Sequence, residues 1–127
     1  MNPKLKVLIL DDETAIRDSI SYYLEDFGIH VFPASTVREA RKILSLETIE
    51  AAIVDLRLTD ASGEDFILAT LKEYPNLKYL IHTGMNDYEM DPILGANKRV
   101  SDTIFLKPLQ EMEELYREIL RITEYEK

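Results

Sequence analysis

The sequence predicts an α/β fold, a parallel sheet packed between helical layers in a three-layer α/β/α sandwich. Two observations predict it. Short apolar runs at 6–10, 51–54, 79–82 and 104–106 alternate with stretches of helical periodicity, the pattern of strands buried on both faces. Each run also ends on polar residues: Asp11-Asp12, Asp55, Thr83 and Lys107-Pro108. The carboxyl ends of parallel strands lie side by side, and that edge is where ligands bind. Residues spread over almost the whole chain should therefore meet there as three carboxylates, one hydroxyl and one ammonium.

The first strand, Lys6 to Leu10, leads into a helix from about Glu13 to Phe27. Ile16, Ile20, Tyr23, Leu24 and Phe27 share its inner face, and Gly28 stops it. Ile29 to Phe32 reads as the second strand, closed by Pro33. Thr36 to Glu39 has capping-box spacing and opens a helix whose inner face is Val37, Ala40, Ile43 and Leu44. The third strand runs into Asp55. A polar loop to Gly63 precedes a helix from about Glu64 to Tyr74, burying Ile67, Leu68 and Leu71, with Pro75-Asn76 as a stop. The fourth strand reaches Thr83. From Gly84 to Asp102 the pattern is poor; Pro92 suits the start of a short helix and Gly95 weakens it. The fifth strand is Thr103 to Leu106. The last helix, from about Leu109, turns Leu109, Met112, Leu115, Tyr116, Ile119 and Ile122 inward. Its acids come early and Arg117 and Arg121 late, which suits the helix dipole. Right-handed crossovers complete the sandwich.

At 127 residues the chain reads as one domain, 1–127, able to bury a core without staples. The absence of cysteine excludes disulfides and zinc–thiolate sites. No apolar run is long enough to span a bilayer, and the short run at 7–10 followed by two aspartates is not a signal peptide. A cytoplasmic location is expected. The net charge of −9 argues against nucleic-acid binding by this domain.

Carboxylates gathered without cysteine suit a hard, oxygen-seeking divalent cation, Mg²⁺ above others. A lone aspartate commonly ends a strand or caps a helix. Two adjacent acids facing Asp55 and Lys107 are another matter. Two carboxylates about 4 Å apart repel by about 4 kcal/mol at an intermediate effective dielectric, so such a site calls for a cation. The lysine and threonine suit the non-bridging oxygens of a phosphoryl group. One carboxylate can then act as nucleophile, and Asp55, on the expected central strand, is the candidate. His30 and His82 read as packed residues, so a phosphohistidine donor would belong to another protein.

The acidic pair Asp11-Asp12, Asp55 with the following Leu56-Arg57-Leu58, Gly63, Thr83 and Lys107-Pro108 occur in the order found in response-regulator receiver domains. Over its whole length the chain resembles that family. The resemblance implies a flavodoxin-like sheet of order 2-1-3-4-5. It implies phosphoryl transfer to Asp55 from a phosphohistidine on a sensor histidine kinase or phosphotransfer protein. It assigns Mg²⁺ to Asp12 directly, Asp11 directly or through water, Asp55, and the backbone carbonyl of Arg57. Lys107 and Thr83 complete the site, a cis bond precedes Pro108, and the output face is the fourth helix, fifth strand and last helix. Output would pass to an output domain, a downstream protein or a phosphorylation-dependent homodimer, with self-catalysed phosphorylation and dephosphorylation as the only catalysis.

Two departures stand out. The family's usual aromatic three residues before the lysine is Ile104 here, and the aromatic is Phe105. An offset of one residue in a strand reverses the side chain's face, so Phe105 is expected in the core. The segment from Thr83 to Lys107 is also about two residues longer than usual, which predicts a short or shifted fourth helix. The competing readings are a degenerate receiver serving as a constitutive interaction module, a haloacid-dehalogenase-type phosphohydrolase and a flavodoxin-like electron carrier. The second needs a D-x-D arrangement after the first strand. For the third, Asp-Asp-Glu-Thr at 11–14 would repel a flavin phosphate.

Overall fold

The computed structural model describes residues 4–124. Five parallel strands, β1 (Lys6–Leu10), β2 (His30–Ala34), β3 (Ala51–Val54), β4 (Lys78–Thr83) and β5 (Val100–Leu106), form one sheet in the order β2-β1-β3-β4-β5. The helices are α1 (Thr14–Asp26), α2 (Val37–Leu46), α3 (Gly63–Glu73), α4 (Pro92–Gly95) and α5 (Met112–Thr123). The two-residue period of the strands divides the core. Leu8, Leu10, Ala52, Val54, Tyr79 and Ile81 pack toward α2, α3 and α4 through Ala40, Leu44, Phe66, Ile67, Leu71 and Leu94. Val7, Ile9, Ala51, Ile53, Leu80 and Phe105 pack toward α1 and α5 through Ile20, Leu24, Leu115, Tyr116, Ile119 and Ile122. Phe105 is thus a core residue, while Ile104 lies half-buried on the opposite face.

The helix ends follow their local chemistry. Gly28, at φ 83°, supplies the left-handed turn after α1. At α2, the Thr36 hydroxyl accepts from the Glu39 amide at 3.1 Å, as a capping box requires. The reciprocal bond is displaced by one residue: Glu39 Oε1 accepts from the Ser35 amide at 3.0 Å. Ser62 caps α3 by accepting from the Asp65 amide at 3.3 Å. The last turn of α3 is covered from outside. The Arg99 guanidinium donates to the carbonyls of Leu71 and Tyr74, each at 2.7 Å, carbonyls that α3's own hydrogen bonds do not fully use.

Three boundaries differ from the sequence expectation. β2 continues through Pro33 to Ala34, which a proline permits on an edge strand. α5 begins at Met112 rather than Leu109, with Glu111 at its N-cap; Leu109 still packs on the core as a partly buried residue. β5 begins at Val100, three residues early. Between Tyr79 and Ile81, β4 advances two residues while β5 advances four, from Val100 to Ile104. The surplus forms a bulge at 101–103, where the buried Ser101 hydroxyl accepts from the Thr103 amide at 3.2 Å and meets the Glu118 carboxylate of α5. α4 is correspondingly short at four residues, capped by Asp91, which accepts from the Ile93 amide at 2.8 Å. No helix among the described residues is long and apolar enough to cross a membrane.

Candidate functional site

Backbone pairing continues one residue past the ends of the strands. The Asp11 amide donates to Ala34 O at 3.1 Å, the Asp55 amide to Leu10 O at 2.9 Å, and the Lys107 amide to Thr83 O at 2.8 Å. This registration sets Asp11, Asp55, Thr83 and Lys107 along the carboxyl edge. Asp55, Thr83 and Lys107 line a cleft of about 460 Å³ together with Asp12, Glu13, Arg57 and residues 84–87, and Asp11 is buried behind Lys107.

Lys107 is the electrostatic centre. Its Nζ lies 2.9 Å from Asp11 Oδ2, 3.0 Å from Glu13 Oε1 and 3.1 Å from Asp55 Oδ2. The peptide bond to Pro108 is cis. Burial alone would favour the neutral amine. The hydrogen bonds to Asp11 and Glu13 and the charges of Asp11 and Asp55 outweigh it and hold the ammonium above the usual lysine range. Asp55 responds the other way: burial, then the charge of Asp11, push its carboxyl above the ordinary aspartate value, against the pull of Lys107. Asp11 and Asp55 are 2% and 5% exposed, so removing their shared counter-charge would leave two desolvated acids.

The other contacts orient the acids. Asp11 Oδ1 accepts from the Glu13 amide at 2.9 Å, and the Arg17 guanidinium donates to the Asp11 carbonyl at 2.7 Å. Asp55 Oδ1 accepts from the Arg57 amide at 3.3 Å. Asp12, exposed at the rim, accepts on Oδ2 from the Thr59 hydroxyl at 3.2 Å. Gly63 explains how α3 starts so close to β3: a Cβ there would lie 2.1 Å from the Asp55 carbonyl oxygen. Asp11, Asp12, Glu13 and Asp55 each offer a carboxylate oxygen, all within 4.8 Å of one another. An all-oxygen, anionic donor set matches a hard divalent cation of the Mg²⁺ kind. The Thr83 hydroxyl accepts from the Met85 amide at 3.2 Å, which leaves its proton for donation.

All the residues expected from the sequence, Asp11, Asp12, Asp55, Arg57, Thr83 and Lys107, thus come to one edge. Two further residues join them. Glu13 reads in the sequence as the start of a helix, yet its carboxylate reaches the lysine; its place directly after an acidic pair was the available signal. Thr59 sits in a polar loop and carries no signal of its own. His82 is buried beside the site, with both ring nitrogens lacking a hydrogen-bond partner among the described residues. His30 is exposed and stacks on Phe32.

Comparison with known proteins agrees with this arrangement. The model of the response regulator receiver domain family matches residues 7–120. The chain is 31% identical over 122 residues to Regulatory protein VanR of Enterococcus faecium, covering 96% of this chain and 52% of VanR. It is 34% identical over 108 residues to Aerobic respiration control protein ArcA of Escherichia coli K12, covering 84% and 44%. It therefore spans about half the length, or less, of these curated relatives. Among solved structures it resembles a CheY-like receiver domain protein of Methanospirillum hungatei JF-1, with TM-score 0.83, 26% identity, and 96% and 95% of the two chains covered. The fold is also that of TrrA of Thermotoga maritima, solved in complex with Mg(2+)-BeF, with TM-score 0.80, 22% identity and coverage of 93% and 98%. With its sheet order, its acidic carboxyl edge and these matches, the chain belongs to the receiver domain family of two-component response regulators.

Proposed function

We propose that Asp55 is the phospho-accepting residue of this receiver and that Asp11, Asp12, Asp55 and the Arg57 carbonyl hold Mg²⁺. The single observation that carries the reading is the Lys107 ammonium seated 3.1 Å from Asp55 Oδ2 at the rim of a cleft that Thr83 also faces. Asp55 presents one oxygen to phosphorus, and the Arg57 amide and Lys107 steady the carboxylate during attack. The Asp55 O–P bond forms as the N–P bond of the donor phosphohistidine breaks, and the imidazole leaves with that electron pair and takes up a proton. Lys107, and the Thr83 hydroxyl once it has moved in, then donate to the non-bridging oxygens. When bound, the divalent cation supplies neutralisation of the phosphoryl charge.

The donor protein is a sensor histidine kinase or a phosphotransfer protein. Output is a change in protein contacts, with an output domain, a separate protein or a second copy of the chain. Because Ile104 has no polar tip to exchange hydrogen bonds, the readout runs through Thr83 and the segment 84–91. The Met85 amide ties that segment to the Thr83 hydroxyl, so movement of Thr83 toward the phosphoryl group draws it along.

Incubation with acetyl phosphate, with and without Mg²⁺, tests the reading by intact mass. One added phosphoryl group is expected with Mg²⁺ and none in Asp55→Asn. Equal labelling of that variant would remove Asp55 from the role.

A further inference from the structure

Asp11 and Asp55 are held alike, and Asp12 is not. Asp11 has Lys107 and the Glu13 amide, and Asp55 has Lys107 and the Arg57 amide. Asp12 is exposed, and among the described residues its side chain has one hydrogen-bond partner, the Thr59 hydroxyl at 3.2 Å. We infer that Thr59 is a positioning residue for the divalent cation: a braced β3–α3 loop presents its hydroxyl so that the Asp12 carboxylate is already aimed at the cleft. This inference rests on the reading of the acids as a cation site.

The brace is visible on both sides of Thr59. Arg57 and Ser62 form an antiparallel bridge across the loop, and the Gly63 amide donates to Leu56 O at 2.9 Å. Next to Thr59, the Asp60 carboxylate accepts from the first two amides of α2, Val37 at 3.1 Å and Arg38 at 3.4 Å. Those amides have no partners within the helix, and the positive end of its dipole favours an anion. Asp60 therefore pins the loop to the N-terminus of α2. Thr59 lies between that pin and the turn that closes on Asp55.

A carboxylate has about four lone-pair sites, so the Thr59 bond leaves acceptor capacity for a cation. It limits the rotation of an exposed side chain that like charges nearby would otherwise push outward. Preorganisation of this kind lowers the ordering cost of binding. A solvent-exposed hydrogen bond such as this one contributes the modest net amount of an ordinary one, which corresponds here to a change of about three- to ten-fold in affinity.

The test is the Mg²⁺ dissociation constant, read from amide NMR shifts of the unphosphorylated protein. Thr59→Val removes the hydroxyl at nearly constant volume and should weaken binding about three- to ten-fold. Thr59→Ser keeps the hydroxyl and should stay within about two-fold of wild type. Asp60→Ala, which lies off the cleft, should weaken binding in the wild-type background and have no further effect in Thr59→Val. The melting temperature without Mg²⁺ should not change in either Thr59 variant. Wild-type binding with an unchanged constant in Thr59→Val overturns the positioning role while leaving the cation site intact. Equal weakening in Thr59→Ser, or additive losses from Thr59→Val and Asp60→Ala, also overturns it. Failure of the wild type to bind Mg²⁺ removes the cation site and this inference together.

Discussion

Replacing Lys107 by methionine keeps most of the side-chain volume and removes the cation that Asp11, Glu13 and Asp55 share. The side chains of Asp11, Asp55 and Lys107 are 3%, 7% and 13% exposed. Breaking a buried pair by removing one partner typically costs 3–5 kcal/mol. The site opens onto a cleft, so the lower end applies, about 3 kcal/mol at neutral pH. Protonation then relieves the strain. Burial and Asp11 already raise the Asp55 carboxyl, and loss of Lys107 raises it further. A carboxyl whose folded pKa exceeds its unfolded value binds protons better when folded, so stability is gained as pH falls through the folded pKa and lost as pH rises through it. The deficit relative to wild type should therefore be largest at neutral pH and smaller at mildly acid pH. Millimolar Mg²⁺ should restore part of it, because the cation replaces the missing positive charge. Urea unfolding at both pH values, with and without Mg²⁺, measures each effect. A variant as stable as wild type at neutral pH without Mg²⁺, or a deficit that grows on acidification, would refute the account of Lys107 as the shared counter-charge.

Three further outcomes are expected. Gly63→Ala drives a methyl group to 2.1 Å from the Asp55 carbonyl; it should cost about 1–3 kcal/mol in urea unfolding and slow phosphorylation, by displacing Asp55 or the start of α3. The His82 ring is buried with no hydrogen-bond partner for either nitrogen among the described residues, and burial, then the Lys107 charge, lower its pKa from 6.5 to about 4 against the opposing charges of Asp11 and Glu13. The unfolded chain thus binds the proton first: stability falls as pH drops from the unfolded value toward the folded one, by up to about 3 kcal/mol, and His82→Leu should flatten that part of the pH profile of the urea midpoint. Glu13→Gln removes an exposed carboxylate from Lys107, so labelling by acetyl phosphate at saturating Mg²⁺ should quicken by about two- to five-fold, read as the rate of mass gain.

The strands that carry the site were legible because they are apolar on both faces and end abruptly on polar residues. Asp11, Asp55, Thr83 and Lys107 each sit at such an end, so parallel pairing brings them together whatever lies between. β5 was only half legible. Asp102 and Thr103 are exposed, and the bulge at 101–103 breaks the two-residue alternation, so Val100-Ser101 read as loop although both are buried. Pro33 read as a stop because a proline's tolerance depends on whether the strand is an edge, a property of sheet order. Glu13 and Thr59 were missed for a related reason. Glu13 acts through a side chain that folds back over Lys107, 94 residues away. Thr59 acts through a loop whose bracing by Asp60 and α2 exists only in three dimensions.

Borohydride reduction of the protein after acetyl phosphate treatment in Mg²⁺, followed by peptide mapping, tests the central claim most directly, since it converts an acyl-phosphate aspartate to homoserine. The account predicts homoserine at position 55, dependent on both the donor and Mg²⁺. Homoserine at Asp11, Asp12 or Asp60 in place of Asp55, or none at any position under conditions that give a stable mass gain, would contradict it.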